Sequence, residues 1–168
     1  MRYRTRPAFK AFHGRPQRWA IIVAHRRAGK TVAAVNDLIG RALDEKKPDG
    51  RYAYIAPLFN QAKDIAWSYL KSYASPVLAG APNETELRVD LFTGALVRLY
   101  RADNPDRLRG LYLDGAVLDE FADMRPAVWH EVVRPALSDR RGFATFIGTP
   151  KGKNAFWDLW QRAQCEPC

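Results

Sequence analysis

Apolar residues fall in short blocks along this chain, and the blocks differ in period. Trp19-Ala-Ile-Ile-Val-Ala24 is a continuous run rich in β-branched side chains, which predicts a buried strand. Val32 to Leu43 instead repeats its apolar positions at helical spacing. Arg51-Tyr-Ala-Tyr-Ile-Ala56 predicts a second strand, entered through a turn at Pro48-Asp-Gly50 and closed by Pro57. Phe59 to Tyr73 predicts an amphipathic helix with Ile65, Tyr69 and Leu70 on one side. Ser75-Pro to Pro82-Asn reads as a loop. Glu86–Leu91 and Ala95–Tyr100 alternate polar with apolar about Thr93-Gly94, predicting a half-exposed β-hairpin. After a polar, irregular stretch from Arg101 to Gly110, Gly115–Leu118 and Phe143–Ile147 predict two more strands. Pro126–Leu137 and Asn154–Gln164 predict helices. Strands alternating with helices imply an α/β fold, an open and mostly parallel central sheet flanked by helices on both faces. No repeat, low-complexity tract or linker divides residues 1–168, so one domain is expected.

Three strand ends carry chemistry. The first strand runs into His25-Arg-Arg-Ala-Gly-Lys-Thr31 and then a helix, the layout of a phosphate-binding loop. Backbone N–H groups at such a turn and the positive end of the helix dipole surround a polyphosphate. Arg27, Ala28 and Gly29 supply the turn. Lys30 is placed to reach β- and γ-phosphates, and the Thr31 hydroxyl to ligate Mg²⁺. Ala24 stands where the first glycine of the usual pattern belongs, and two arginines sit inside the loop. The second strand end is Asp119-Glu120. Asp119 is expected to hold Mg²⁺ through its water shell and to hydrogen-bond Thr31, while Glu120 polarises the attacking water. The third is Gly148-Thr149-Pro150, where Thr149 is placed to sense a γ-phosphate.

Charge sharpens this picture. The formal net charge is +9, and all of the excess lies in Met1–Thr31, which holds nine basic residues and no acid. A polyanionic partner, nucleotide or nucleic acid, fits that polarity, as does a solvated arm with no fixed partner. Within the arm, His13-Gly-Arg-Pro-Gln17-Arg-Trp19 offers an amide and stacking groups for an adenine edge. Arg109-Gly110 lies in a loop, free either to reach a neighbouring subunit's nucleotide or to form a surface salt bridge. Cys165 and Cys168 form a C-x-x-C without a second pair and without the βαβ context of thioredoxin chemistry, so a chance pair in a tail is favoured over half a zinc site or a redox pair. No apolar run approaches the ~18 residues of a membrane span, and a cytoplasmic location is expected.

Together these residues resemble the ATPase domain of the large terminase subunit, the DNA-packaging motor of tailed bacteriophages. The likeness runs from about Phe12 to Phe156. It implies a P-loop NTPase of the additional-strand, catalytic-glutamate type that uses ATP and Mg²⁺. It implies that Arg26 is the arginine of a deviant phosphate loop, Glu120 the catalytic glutamate and Thr149 the coupling residue. Arg109 becomes the arginine supplied in trans, and Gln17 the adenine-reading glutamine, with Arg15 or Arg18 as alternatives. The partners implied are double-stranded DNA, a small terminase subunit, a portal ring and further copies of the chain in a ring. The family also carries a nuclease domain, and no nuclease activity is expected from these residues. A helicase-like ATPase and a catalytically silent nucleotide- and DNA-binding fragment are the competing readings. The strands Trp19–Ala24, Phe143–Ile147 and Gly115–Leu118 are expected to lie side by side and parallel in that order, bringing Lys30, Thr149 and Asp119 to one edge.

Overall fold

The structure is a computed structural model that describes residues 3–44, 47, 49–57, 59–103 and 108–165, with backbone only at 59–63. Six strands form one sheet in the order β1-β6-β5-β2-β4-β3. They are β1 (Trp19–Val23), β2 (Arg51–Ala56), β3 (Arg88–Asp90), β4 (Leu96–Arg101), β5 (Gly115–Leu118) and β6 (Phe143–Gly148). All neighbours are parallel except β3, which turns back on β4 through the expected hairpin. That hairpin is less exposed than its alternation implies, because β4 pairs along β2 and buries Val89 and Val97 completely.

The central strands read as unbroken apolar runs because both faces are covered. On one face lie the N-terminal arm, α2 (Lys30–Asp44) and α3 (Phe59–Ala74); α1 (Lys10–His13) belongs to that arm. α2 buries Ala34, Val35, Leu38, Ile39 and Ala42, a stripe at helical spacing. In α3 the inward residues are Ala66, Trp67, Leu70 and Ala74, whereas Ile65 is 54% exposed. The predicted face is therefore rotated: Trp67 takes the buried position and its indole N–H donates to Glu84 (2.6 Å).

The second face is covered by Leu108–Leu113, by Val128–Val133, by α4 (Arg134–Ser138) and by α5 (Ala155–Cys165). Val128–Val133 is a π-helical turn rather than regular α-helix. Pro135 has no N–H to give to the carbonyl four residues back, and the turn before it widens. Among the described residues, no helix is long and apolar enough to cross a membrane.

Ion pairs tie the basic arm down. Arg15 reaches Asp37 of α2 with both terminal nitrogens (3.0 and 2.9 Å) and also donates to the Thr145 hydroxyl of β6. Arg41 and His13 approach the same buried carboxylate. Arg18 caps the Gly142 carbonyl (2.9 Å). The arm is therefore packed against the fold rather than freely solvated, and Arg15 and Arg18 both have partners within it.

Candidate nucleotide site

The carboxyl ends of β1, β6 and β5 meet at one edge, with β6 between the other two as expected. Each strand delivers its terminal residues there. β1 leads through Ala24 and His25 into the loop, where positive φ at Arg27 (64°) and Gly29 (94°) folds the backbone back before α2 begins at Lys30. Ala33 N–H bonds the Gly29 carbonyl and continues the helix from the loop (3.0 Å). Lys30 is buried, and its ammonium donates to the carbonyls of Ala24 (2.9 Å) and His25 (3.1 Å) and to the Thr149 hydroxyl (3.2 Å). Lys30 thus spans the open mouth of its own loop and touches the end of the neighbouring strand.

Thr149 continues the chain of contacts. Its N–H and hydroxyl both donate to the Glu120 carboxylate, at 3.2 and 3.4 Å. Glu120 is half-buried and sits in the left-handed region (φ 44°, ψ 49°), an uncommon conformation for a residue with a side chain. That geometry turns its carboxylate from the β5 axis toward Thr149. Lys30, Thr149 and Glu120 are therefore one connected polar path across three adjacent strands.

Asp119 lies beside this path and is buried. One carboxylate oxygen accepts the Glu120 N–H (2.9 Å); the other accepts the Tyr54 hydroxyl (2.6 Å). The expected direct bond from Thr31 to Asp119 is replaced by this phenol, which interacts with both residues. Tyr54 reaches the site because β2 pairs with β5, setting Tyr54 opposite Val117, two residues before Asp119. The sequence pattern marks Tyr54 only as a strand residue.

Burial pushes the Asp119 carboxyl up from 3.8 to about 6; the Tyr54 hydroxyl opposes the shift and the nearby Glu120 charge adds to it. Burial and the same carboxylate hold the Tyr54 hydroxyl well above its ordinary value. A buried carboxylate that is costly to ionise, beside the Thr31 hydroxyl, fits a hard dication. Mg²⁺ takes oxygen ligands and commonly needs only one or two carboxylates. A folded pKa above the unfolded one means that the unfolded chain ionises first. The contribution of Asp119 to stability without nucleotide is then fully present below about pH 4, is lost as pH rises toward 6 and stays lost above it. Asp119→Asn should abolish that slope and leave the variant more stable than the parent at pH 7, by up to roughly 3 kcal/mol. Urea denaturation of parent and variant between pH 4 and 8 measures this; a stability difference between them that does not change with pH over that range would contradict it.

The remaining sequence-derived residues lie around this centre. Arg26 and Arg27 are exposed on the loop, and Ala28 is half-buried in it. Gln17 is exposed and lines a groove of about 850 Å³ together with Ala24, His25, Arg27 and Ala28, so it shares a cavity with the loop. Arg109 is not brought there. It is exposed, lies 3.9 Å from Glu131, and shares a shallow cleft with Tyr112, Pro135 and Asp139, none of them loop residues. Cys165 is exposed at the end of α5, and Cys168 lies outside the described residues.

A loop that opens a helix after β1, paired carboxylates at the end of β5 and a polar residue at the end of β6 between them sit on a mostly parallel sheet, and the fold is that of an α/β P-loop NTPase. Comparison with known proteins gives the particular relatives. A stretch of 88 residues is 41% identical to the large terminase subunit of Thermus phage G20c, covering 52% of this chain and 17% of that protein. The solved ATPase domain of the Thermus phage P74-26 large terminase superposes with a TM-score of 0.77 at 27% identity, over 94% of this chain and 69% of that one. The large terminase of a thermophilic bacteriophage, solved in complex with ATP-gamma-S, shares the fold (TM-score 0.61, 17% identity, 80% of this chain and 33% of that one). No protein-family model matches. The chain is thus similar to the ATPase domain of phage large terminases, as its motifs imply, and it spans about a sixth of the length of the curated relative.

Proposed function

We propose that this chain is the ATP-hydrolysing unit of a viral DNA-packaging motor, turning nucleotide hydrolysis into movement of double-stranded DNA into a procapsid. The observation that carries the reading is the path from Lys30 through Thr149 to Glu120, built on the ends of three adjacent parallel strands. The likeness to large terminases, one of them solved with a bound ATP analogue, supports it. Residues 1–168 act as one P-loop ATPase unit, without a nuclease role, in the cytoplasm of a bacterial host.

In this reading the backbone of Arg27, Ala28 and Gly29 wraps the phosphates, Lys30 leaves its carbonyl partners for the β- and γ-phosphates, and Arg26 adds charge from within the loop. Gln17 reads the adenine from the shared groove. Thr31 and Asp119 would hold Mg²⁺, which supplies charge neutralisation to the phosphates when bound. Glu120 orients the attacking water and takes its proton. Thr149, bonded to both Lys30 and Glu120, senses loss of the γ-phosphate. Arg109 faces outward and serves the loop of the next subunit in a ring. A small terminase subunit, a portal ring and duplex DNA complete the motor. Contact with DNA falls chiefly on phosphates, since a packaging motor must move any sequence.

Turnover measured against protein concentration, with duplex DNA present or absent, tests this. Activity per subunit should rise with concentration and rise further with DNA. Turnover that stays flat and near zero at every concentration would favour a silent nucleotide-binding fragment.

A further inference from the structure

The arm delivers one cation to the loop that the motif leaves out. Arg6 donates from Nη1 to the Ala28 carbonyl (2.9 Å), inside the phosphate loop. Its guanidinium also lies across Gly29. A Cβ on that glycine would stand 3.3 Å from Nη1, 3.5 Å from Cζ and 3.8 Å from Nε, so the guanidinium packs against Gly29. Gly29 supplies the positive φ of the turn, and Arg6 lies against its Cα.

The arm is fixed on both sides of this residue. Arg6 accepts the Phe9 N–H at its carbonyl, and Phe9 is buried in the core under α2. Farther along, Arg15 is locked onto Asp37. Before it, the Tyr3 hydroxyl meets His13 at 2.7 Å. Arg6 itself is exposed and borders both the groove that contains Gln17, Arg27 and Ala28 and a cavity of about 210 Å³ against Gly29, Val32 and Tyr73. Its partner at Ala28 is a neutral carbonyl rather than a carboxylate, so that contact leaves its charge uncompensated. A guanidinium has five N–H donors, and its planar fork suits phosphate oxygens.

We propose that Arg6 is a phosphate contact for a nucleoside di- or triphosphate, supplied in cis by the N-terminal arm. The Ala28 bond sets its plane, and a second edge of the fork meets a phosphate oxygen of the nucleotide. The proposal rests on the reading of Ala24–Thr31 as a nucleotide loop and adds to it a residue outside the loop motif. It makes the arm part of the nucleotide site, and it ties nucleotide affinity to the docking of residues 3–15.

The test is equilibrium binding of ADP and of a non-hydrolysable ATP analogue to the full chain in Mg²⁺ at several salt concentrations, with thermal unfolding of each variant alongside. Arg6→Gln keeps a neutral donor for Ala28 and removes the charge. It should retain the parent's Tm but bind both nucleotides roughly ten- to a hundredfold more weakly. Its affinity should also fall less steeply with added salt. Arg6→Lys, a point charge without the fork, should recover part of the loss. If Arg6→Gln binds as the parent does with the same salt dependence, Arg6 only fastens the arm and the proposal is wrong. Lys30→Ala separates the two readings: if it binds nucleotide like the parent, the loop assignment fails and the Arg6 proposal with it. Loss in Lys30→Ala without loss in Arg6→Gln overturns the Arg6 proposal alone.

Discussion

Arg109→Ala protein mixed with Lys30→Ala protein is expected to hydrolyse ATP, although each variant alone is inactive. The expectation follows from where the two residues stand. Lys30 is enclosed by its own loop, whereas Arg109 projects from the outer surface beside Glu131. An arginine that meets charge developing on a transferring phosphoryl group contributes about 10³ to 10⁵ in rate. Its removal should therefore reduce turnover by that order while nucleotide still binds. Lys30→Ala should fail earlier, at tight Mg·ATP binding. In a mixed assembly one interface joins an intact loop on one copy to an intact arginine on the next. Recovery of a fraction of parental activity, scaling with the share of mixed interfaces, is the expected result. Mixtures shown to assemble yet remaining inactive would return Arg109 to its salt bridge with Glu131.

The second large effect belongs to Glu120. Glu120→Gln preserves size and retains an oxygen for the Thr149 N–H, so the bond that orients the side chain survives. What is lost is the capacity to take a proton from water. Turnover should fall by about 10² to 10⁴ while nucleotide binding stays close to the parent's. Rapid-quench measurement of a single turnover checks the chemical step directly. A variant that hydrolyses at half the parental rate or better would mean that another group is the base, or that Asp119-Glu120 is only a polar strand end.

The parts of this site that are local in sequence were legible there. β1, β5 and β6 announce themselves as apolar runs, and each motif follows its strand without a gap, so Lys30, Asp119, Glu120 and Thr149 could be named from the chain alone. The sheet order followed from requiring those ends to share an edge. Tyr54 was not legible, because its role depends on the β2–β5 register rather than on any neighbour in sequence. Arg15 and Asp37 were hidden for the same reason: 22 residues separate them, and only docking of the arm on α2 makes them a pair. In α3, periodicity found the helix but chose Ile65 over Trp67 for the core, since helical spacing alone does not say that an indole N–H has Glu84 to bond.

β1 lies at the edge of the sheet and, among the described residues, is paired along one side only. Five residues, from Trp19 opposite Ala144 to Val23 opposite Gly148, form the ladder that joins it to β6. Lys30 and Thr149 hang from the far ends of those two strands, so the ladder acts as a ruler for the 3.2 Å gap between them. A slip of one residue would carry the loop about 3.3 Å along the strand and turn Ile22 out of the core. The spacing at this site is thus kept by backbone pairing and by the burial of Ile22 and Phe146 in the two cores on either side of the sheet.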